Sequence, residues 1–496
     1  MSVEIRGPAV PGVLAAPLAV AACATAAVTM CLEAAADLAG ARTGRRPAVA
    51  LDTAHVAAAV RSEALLRGPD GRGIEGFAPL SRLWPAADGW VRTHANYPWH
   101  RAALLAALGT DEDGVAGAIA ARPASDVERL VYAAGGLAVA CRRPDDWLDE
   151  WLDGPAAEAG GASGGVPGGV PGGASGGASG GALPGPLVRT TPLGAAPGGR
   201  ALPAASGRQT PPAASGRQAP PAASGGQVPP AASGGRVPPA ASGGQVLPAA
   251  GIRVLDLTRV IAGPVGTRML GALGADVLRI DDPGRPELPL HAVDGVVGKA
   301  STTLDAGTAA GLETLHRLLD TADVLVTGYR PGALRRFGLD PDQVADRHPG
   351  TVVVTLSAWG TTGPWGARRG FDSLVQVATG IGWLTRDATG RPGALPCQLL
   401  DHASGYLAAA GALAALAARE RTGAAAHVEV SLARTARWLL ETPLDPSPPV
   451  DTPTAPFLVP LGAGWTGVSP PGTIDGTPLT WPHLPPAYGN APAAWR

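Results

Sequence analysis

The 496-residue sequence is poor in cysteine, in aromatic residues and in excess charge, and each scarcity excludes a class of protein. Its four cysteines, Cys23, Cys31, Cys141 and Cys397, form no C-x-x-C pair. That spacing supports neither a zinc site nor a dithiol redox motif. So few thiols in so long a chain fit a reducing compartment, and a cytoplasmic location is expected. Lys and Arg number 39 against 41 Asp and Glu, a formal net charge of -2. A nucleic-acid binder carries a basic surplus, so no such partner is expected. Residues 7–32 lack any charge, which raises the question of a leader or a membrane span. A secretory leader needs a basic start. Only Arg6 is available, Glu4 offsets it, and Pro8, Pro11 and Pro17 interrupt the run. The expectation is a buried Ala-rich helix from about Pro17 to Leu38, with no membrane partner.

Glycine (70) and proline (51) are the abundant residues, more than an ordinary globular chain carries, and residues 156–250 are rich in both. Gly-Gly-Ala-Ser-Gly-Gly runs come first, then a nine-residue unit of the kind Pro211 to Ala219. The units hold too few apolar residues to stack a core, so a disordered linker is expected there. It separates residues 1–155, read as a small α+β domain, from residues 251–443, read as a larger domain. Residues 444–496 read as a Pro-rich extended tail.

In the first part, Asp88-Gly89 before Trp90 to Thr93 predicts a turn into a strand. Helical patterns follow at 99–108, 111–121, 125–134 and 144–151. From residue 251, strands and helices alternate. Arg253 to Leu257, Ala275 to Ile280, Val324 to Val326 and Thr351 to Leu356 read as strands. Helices are expected over 266–273, 311–319, 341–347 and 402–419. Such alternation predicts an α/β fold, a Rossmann-like parallel sheet wrapped by helices.

The first strand-to-helix turn, Thr258 to Thr267, contains Gly263 and Gly266, and a turn of this kind can present N–H groups to a phosphate. The spacing is G-x-x-G rather than G-x-G-x-x-G, and Pro264 removes a donor. A dinucleotide site with Asp281 on a ribose is therefore the weakest reading.

Several ordered motifs carry a more specific signal. They are Val254 to Pro264, Leu273 to Ile280, Ala322 to Gly332, Trp359 to Trp365, Arg369 to Asp372, Asp401 with Gly405, and Arg421 to Gly423 before Val428 to Leu432. Together they resemble the family III CoA-transferases, which include formyl-CoA and carnitine-CoA transferases and the methylacyl-CoA racemases. Residues 84–151 resemble that family's smaller domain, through Asp88-Gly89-Trp90 and Pro144 to Leu148. Here they precede the linker, as in a rearranged or fused double-length chain.

The resemblance implies that Asp401 is the catalytic nucleophile. Read from the residues alone, Asp401 is an N-cap for the helix that follows, and the two readings are compatible. The resemblance further implies that coenzyme A, a substrate rather than a resident cofactor, meets Arg259, Val260, Ile261 and Ala262 in the first turn. Gly328 and Tyr329 would meet it in a second turn, and Arg336 would pair with a phosphate. No metal site is expected. The implied partners are an acyl-CoA, a carboxylic acid acceptor and a second copy of the chain in a homodimer. Two departures stand out: Gly307 and Gly328 fall where relatives carry Lys and Asn. His402 reads as a helix-start residue, since carboxylate attack needs no proton removed.

A racemase needs a base to move an α-proton, and Phe371 occupies the position of that base in Gly370-Phe371-Asp372. The remaining alternative is a diverged binding protein that holds CoA esters without turnover.

Overall fold

The computed structural model describes residues 3–8, 10, 13–152, 187–195, 246–444, 448–484 and 487–496. Val- and Leu-rich runs such as Val324–Thr327 and Val352–Ser357 are buried almost throughout, as strands covered on both faces must be. They belong to a seven-stranded sheet. Its order is Arg189–Ala195, Ala424–Ser431, Val352–Ser357, Val324–Thr327, Arg253–Leu257, Asp276–Asp281 and Ala300–Thr303. All neighbours are parallel except the first pair. The α/β class expected from the alternating pattern is what the chain adopts.

The helix Leu399–Thr422 runs through the middle of the core, and its Ala, Gly and Leu residues are buried along most of its length. Small residues let other helices come close. A Cβ on Gly266 would lie 2.6 Å from the Gly405 carbonyl oxygen, and one on Gly405 would lie 2.4 Å from that of Ala262. Two glycines therefore set the crossing of Leu399–Thr422 with Ala262–Ala272. The Ala-rich helix expected near the start spans Val20–Thr43, is mostly buried, and makes its main contact with Leu399–Thr422. Both helices are long and apolar enough to cross a membrane by composition, and both lie largely inside the protein core.

Residues 1–155 contribute chiefly to two of the cores. Val20 to Val60 join the main one. Leu80 to Ala140 form a separate cluster around the antiparallel strands Leu83–Pro85, Trp90–Thr93 and Ala138–Ala140. Within 444–496, expected to be an extended tail, strands Leu458–Gly462 and Trp465–Val468 form a hairpin, and Thr473–Ile474 pairs with Val49–Asp52.

The expectation of disorder over 156–250 needs correction at two places. Arg189–Ala195 is the antiparallel edge strand of the main sheet. Its Val188-Arg189-Thr190-Thr191 stretch is free of glycine and proline and holds three β-branched residues, which favour a pleated backbone. Residues 246–250 lead into the first parallel strand, with Ala249 buried and its N–H donating to the Leu273 carbonyl at 2.8 Å. The remainder of that segment, 156–186 and 196–245, lies outside the described residues.

Candidate active site

The first parallel strand is locked at its end by Asp256. Its carboxylate accepts from the Thr258 N–H at 2.9 Å, the Thr267 hydroxyl at 2.6 Å and Lys299 Nζ at 2.9 Å. The turn that follows carries Val260 at φ 66°, a left-handed conformation that a β-branched residue adopts only under constraint. The constraint is visible: the Val260 N–H donates to Glu287 Oε2 at 3.0 Å. Glu287 also accepts from Tyr97 Oη at 2.6 Å, from Arg279 at 2.9 Å and from Arg259 at 3.3 Å. Burial opposes its charge, yet Arg279 and Arg259 hold the carboxyl well below the usual range.

Asp401 lies in the first turn of Leu399–Thr422, three residues past the N-cap Gln398, which makes no side-chain cap bond. Asp401 is thus not the N-cap read from the sequence; Leu399 and Leu400 already belong to the helix. The Asp401 N–H donates to Asp372 Oδ2 at 3.0 Å, and Gln376 Nε2 donates to the other oxygen of Asp372. Both carboxyls are buried. Burial, and then the nearby Asp372 and Glu63, push the Asp401 carboxyl well above its usual value. Burial raises Asp372 to about 6, against the opposing hydrogen bonds from Asp401 and Gln376. His402 beside it is fully buried and bonds Glu63 Oε2 through Nε2 at 2.8 Å.

Val260 and Asp401 face a cavity of about 730 Å³ at the carboxyl ends of the parallel strands, where open α/β sheets hold ligands. Arg259, Val260, Ile261, Ala262, Gly328, Tyr329, Arg336 and Asp401 all line it. Their settings differ. The Arg259 guanidinium is engaged with the carbonyls of Arg285 and Pro286 at 2.7 and 2.8 Å, so the turn is stabilised by that side chain. Arg336 is exposed, its guanidinium 4.5 Å from the Phe337 ring centre. Gly307 lines the same cavity. Asp281, considered above for a ribose, is gripped at both oxygens by Arg279, at 2.7 and 2.9 Å.

Sequence reasoning missed the residues that cross over from the first part of the chain. Tyr97, Trp99 and His100 line the cavity. Phe371 stacks on His94 at 4.0 Å between ring centres and meets His100 edge-on at 6.1 Å. Burial, then Arg369, Arg285 and Arg259, push His100 down to about 4, so its imidazole is neutral at neutral pH. The one signal available was local: Tyr97-Pro98-Trp99-His100 clusters three rings in a chain with 4% aromatics.

The arrangement is a carboxyl on a helix N-terminal turn, at the wall of a cavity bounded by two strand-to-helix turns and a basic rim. Residues 249–445 match the family model described as CoA-transferase family III. The chain is 37% identical over 195 residues to a probable fatty acyl-CoA transferase of Mycobacterium tuberculosis, covering 37% of this chain and 50% of that protein. It is 36% identical over 193 residues to a formyl-CoA:oxalate CoA-transferase of Streptomyces avermitilis, covering 37% and 47%. A crystal structure of a hypothetical protein from Mycobacterium tuberculosis aligns at 37% identity and TM-score 0.37, over 39% of this chain and 56% of that one. The chain thus spans about half the length of the relatives it matches.

Proposed function

We propose that this protein is a CoA-transferase that moves CoA from an acyl-CoA to a carboxylic acid, with Asp401 as nucleophile. The observation that carries the reading is that the residues expected to meet CoA, Arg259 to Ala262, Gly328, Tyr329 and Arg336, line one cavity with Asp401 in its wall. Asp401 attacks the thioester carbonyl, forming a mixed anhydride and expelling CoA thiolate. The thiolate attacks the aspartyl carbonyl, giving an aspartyl-CoA thioester and releasing the donor acid. The acceptor carboxylate then attacks that thioester, forming a second anhydride and expelling CoA thiolate, which attacks the acceptor's carbonyl to give the new acyl-CoA and free the Asp401 carboxylate. A carboxylate whose pKa is raised is a better nucleophile once ionised. Each step builds an oxyanion that N–H donors must meet. CoA lies along the Arg259–Ala262 turn and the Gly328–Tyr329 turn, with Arg336 on a phosphate. Residues 84–151 serve as the smaller domain and bring Tyr97, Trp99 and His100 to the acyl end. Four free thiols fit a cytoplasmic setting.

Hydroxylamine added during turnover tests this. It should convert Asp401 to a hydroxamate on the peptide that spans Cys397 to His402, and Asp401→Asn should abolish both label and transfer. Transfer by Asp401→Asn at the parental rate, with deamidation excluded by mass, would place the nucleophile elsewhere.

A further inference from the structure

We infer that residues 20–63 are a second copy of residues 399–442, and that the chain is a fused two-fold pair with one nucleophile instead of two. The helices Val20–Thr43 and Leu399–Thr422 are each 24 residues long. Val20 and Leu399, Thr43 and Thr422, and Asp52 and Ser431 stand 379 positions apart. Both helices end in Arg-Thr-Gly, with Gly44 at φ 75° and Gly423 at φ 71°, each N–H closing on the carbonyl four residues back. Each is followed by a strand, Val49–Asp52 or Ala424–Ser431, and then by a helix capped through a side chain, Asp52 or Ser431.

The strand neighbours repeat as well. Ala424–Ser431 lies between a parallel strand, where Glu429 faces Thr355, and an antiparallel one, where Glu429 faces Arg189. Val49–Asp52 lies between a parallel strand, where Ala50 faces Glu4, and an antiparallel one, where Ala50 faces Thr473. Ala50 is the counterpart of Glu429 at the 379-residue shift.

The two copies face each other with reciprocal contacts, the mark of a two-fold interface. Glu63 reaches His402 at 2.8 Å. Their counterparts are Thr442 and Cys23, and the Cys23 thiol donates to Thr442 Oγ1 at 3.5 Å. Chance packing of unrelated helices does not exchange partners in this way. At the decisive position the copies part: Asp401 corresponds to Ala22, so the second centre has no carboxylate. The first copy has become a resident partner that covers the face of Leu399–Thr422 and supplies Glu63 beside the nucleophile. That the surviving centre is catalytic rests on the transferase reading; the pairing of the copies does not.

A cross-link tests the pairing without reference to activity. Thr442→Cys in the full chain places a thiol opposite Cys23, and mild oxidation should join the two. The expected product keeps the mobility of one chain on a non-reducing gel, contains one linked peptide pair by mass, and is absent when Cys23→Ala is added. A covalent dimer through the same two positions would mean that the contact is exchanged between chains. No cross-link under conditions that oxidise other thiols would mean that the contact is absent. Either result overturns the inference, whatever Asp401→Asn shows about chemistry.

Discussion

Asp372 and Asp401 crowd two buried carboxyls around one backbone N–H, and Asp372 makes Asp401 harder to ionise. Replacing Asp372 by Asn removes the like charge, so Asp401 should ionise at lower pH. The acid limb of the transfer rate against pH should move down, most simply seen in kcat/KM. A limb that stays in place would show that Asp372 does not face the nucleophile. The same crowding has a stability side. A carboxyl whose folded pKa is raised stabilises the fold below its unfolded value of about 4 and loses that contribution as pH rises through the folded value. For Asp372 that loss runs up through about 6, and for Asp401, which burial and Asp372 push well above its usual value, it runs higher. Asp401→Asn should therefore be more stable than the parent at pH 7.5, by about 0.5–2 kcal/mol, with the difference shrinking toward pH 4. Urea unfolding at the two pH values measures it.

Among the elements, the crossing of Ala262–Ala272 with Leu399–Thr422 joins the first turn to the nucleophile. Gly405→Ala would press its methyl onto a backbone carbonyl, so the helices must part. The expected cost is about 1–3 kcal/mol, as for other overpacked sites. Turnover should fall further than stability suggests, because the Arg259–Ala262 turn shifts relative to Asp401. Thermal unfolding and single-turnover rates on the same variant separate the two effects. Elements of this kind were readable where local pattern decided them. The strands at 253, 276, 324 and 352 are Val- and Leu-rich runs, and the helix at 341–347 opens with Asp340-Pro341 and a capping box. The start of Leu399–Thr422 was misplaced because an Asp invited a capping role that Gln398 leaves unfilled. Arg189–Ala195 escaped notice because its short β-branched stretch lies within a Gly- and Pro-rich segment and its partner strand is more than two hundred residues away. The site divided likewise. Asp401 and the two turns were legible as motifs, whereas Glu63, Tyr97, Trp99 and His100 reach it only through tertiary packing.

For the whole molecule, the repeat-rich segment separates the parts of the chain that build the site, and its composition can bury little. Deleting residues 200–240 should leave thermal stability and transfer nearly unchanged, since shortening a long connection alters closure entropy only slightly. A deletion of 165–245 should behave differently. It removes Arg189–Ala195 and bares the edge of Ala424–Ser431, so loss of soluble protein is expected from that variant alone. Comparing soluble yield and melting temperature of the two deletions decides the matter. Equal behaviour would show that the edge strand adds nothing.

The matched pair of helices, Val20–Thr43 and Leu399–Thr422, has a consequence for how such a chain can change. In an assembly of identical subunits every substitution is made twice, and any residue near the axis must be compatible with itself. Once both copies lie on one chain, each position mutates alone. His402 can face a glutamate while Cys23 faces a threonine, a combination that no pair of identical chains offers. One copy is then free to keep the chemistry while the other is selected only for fit.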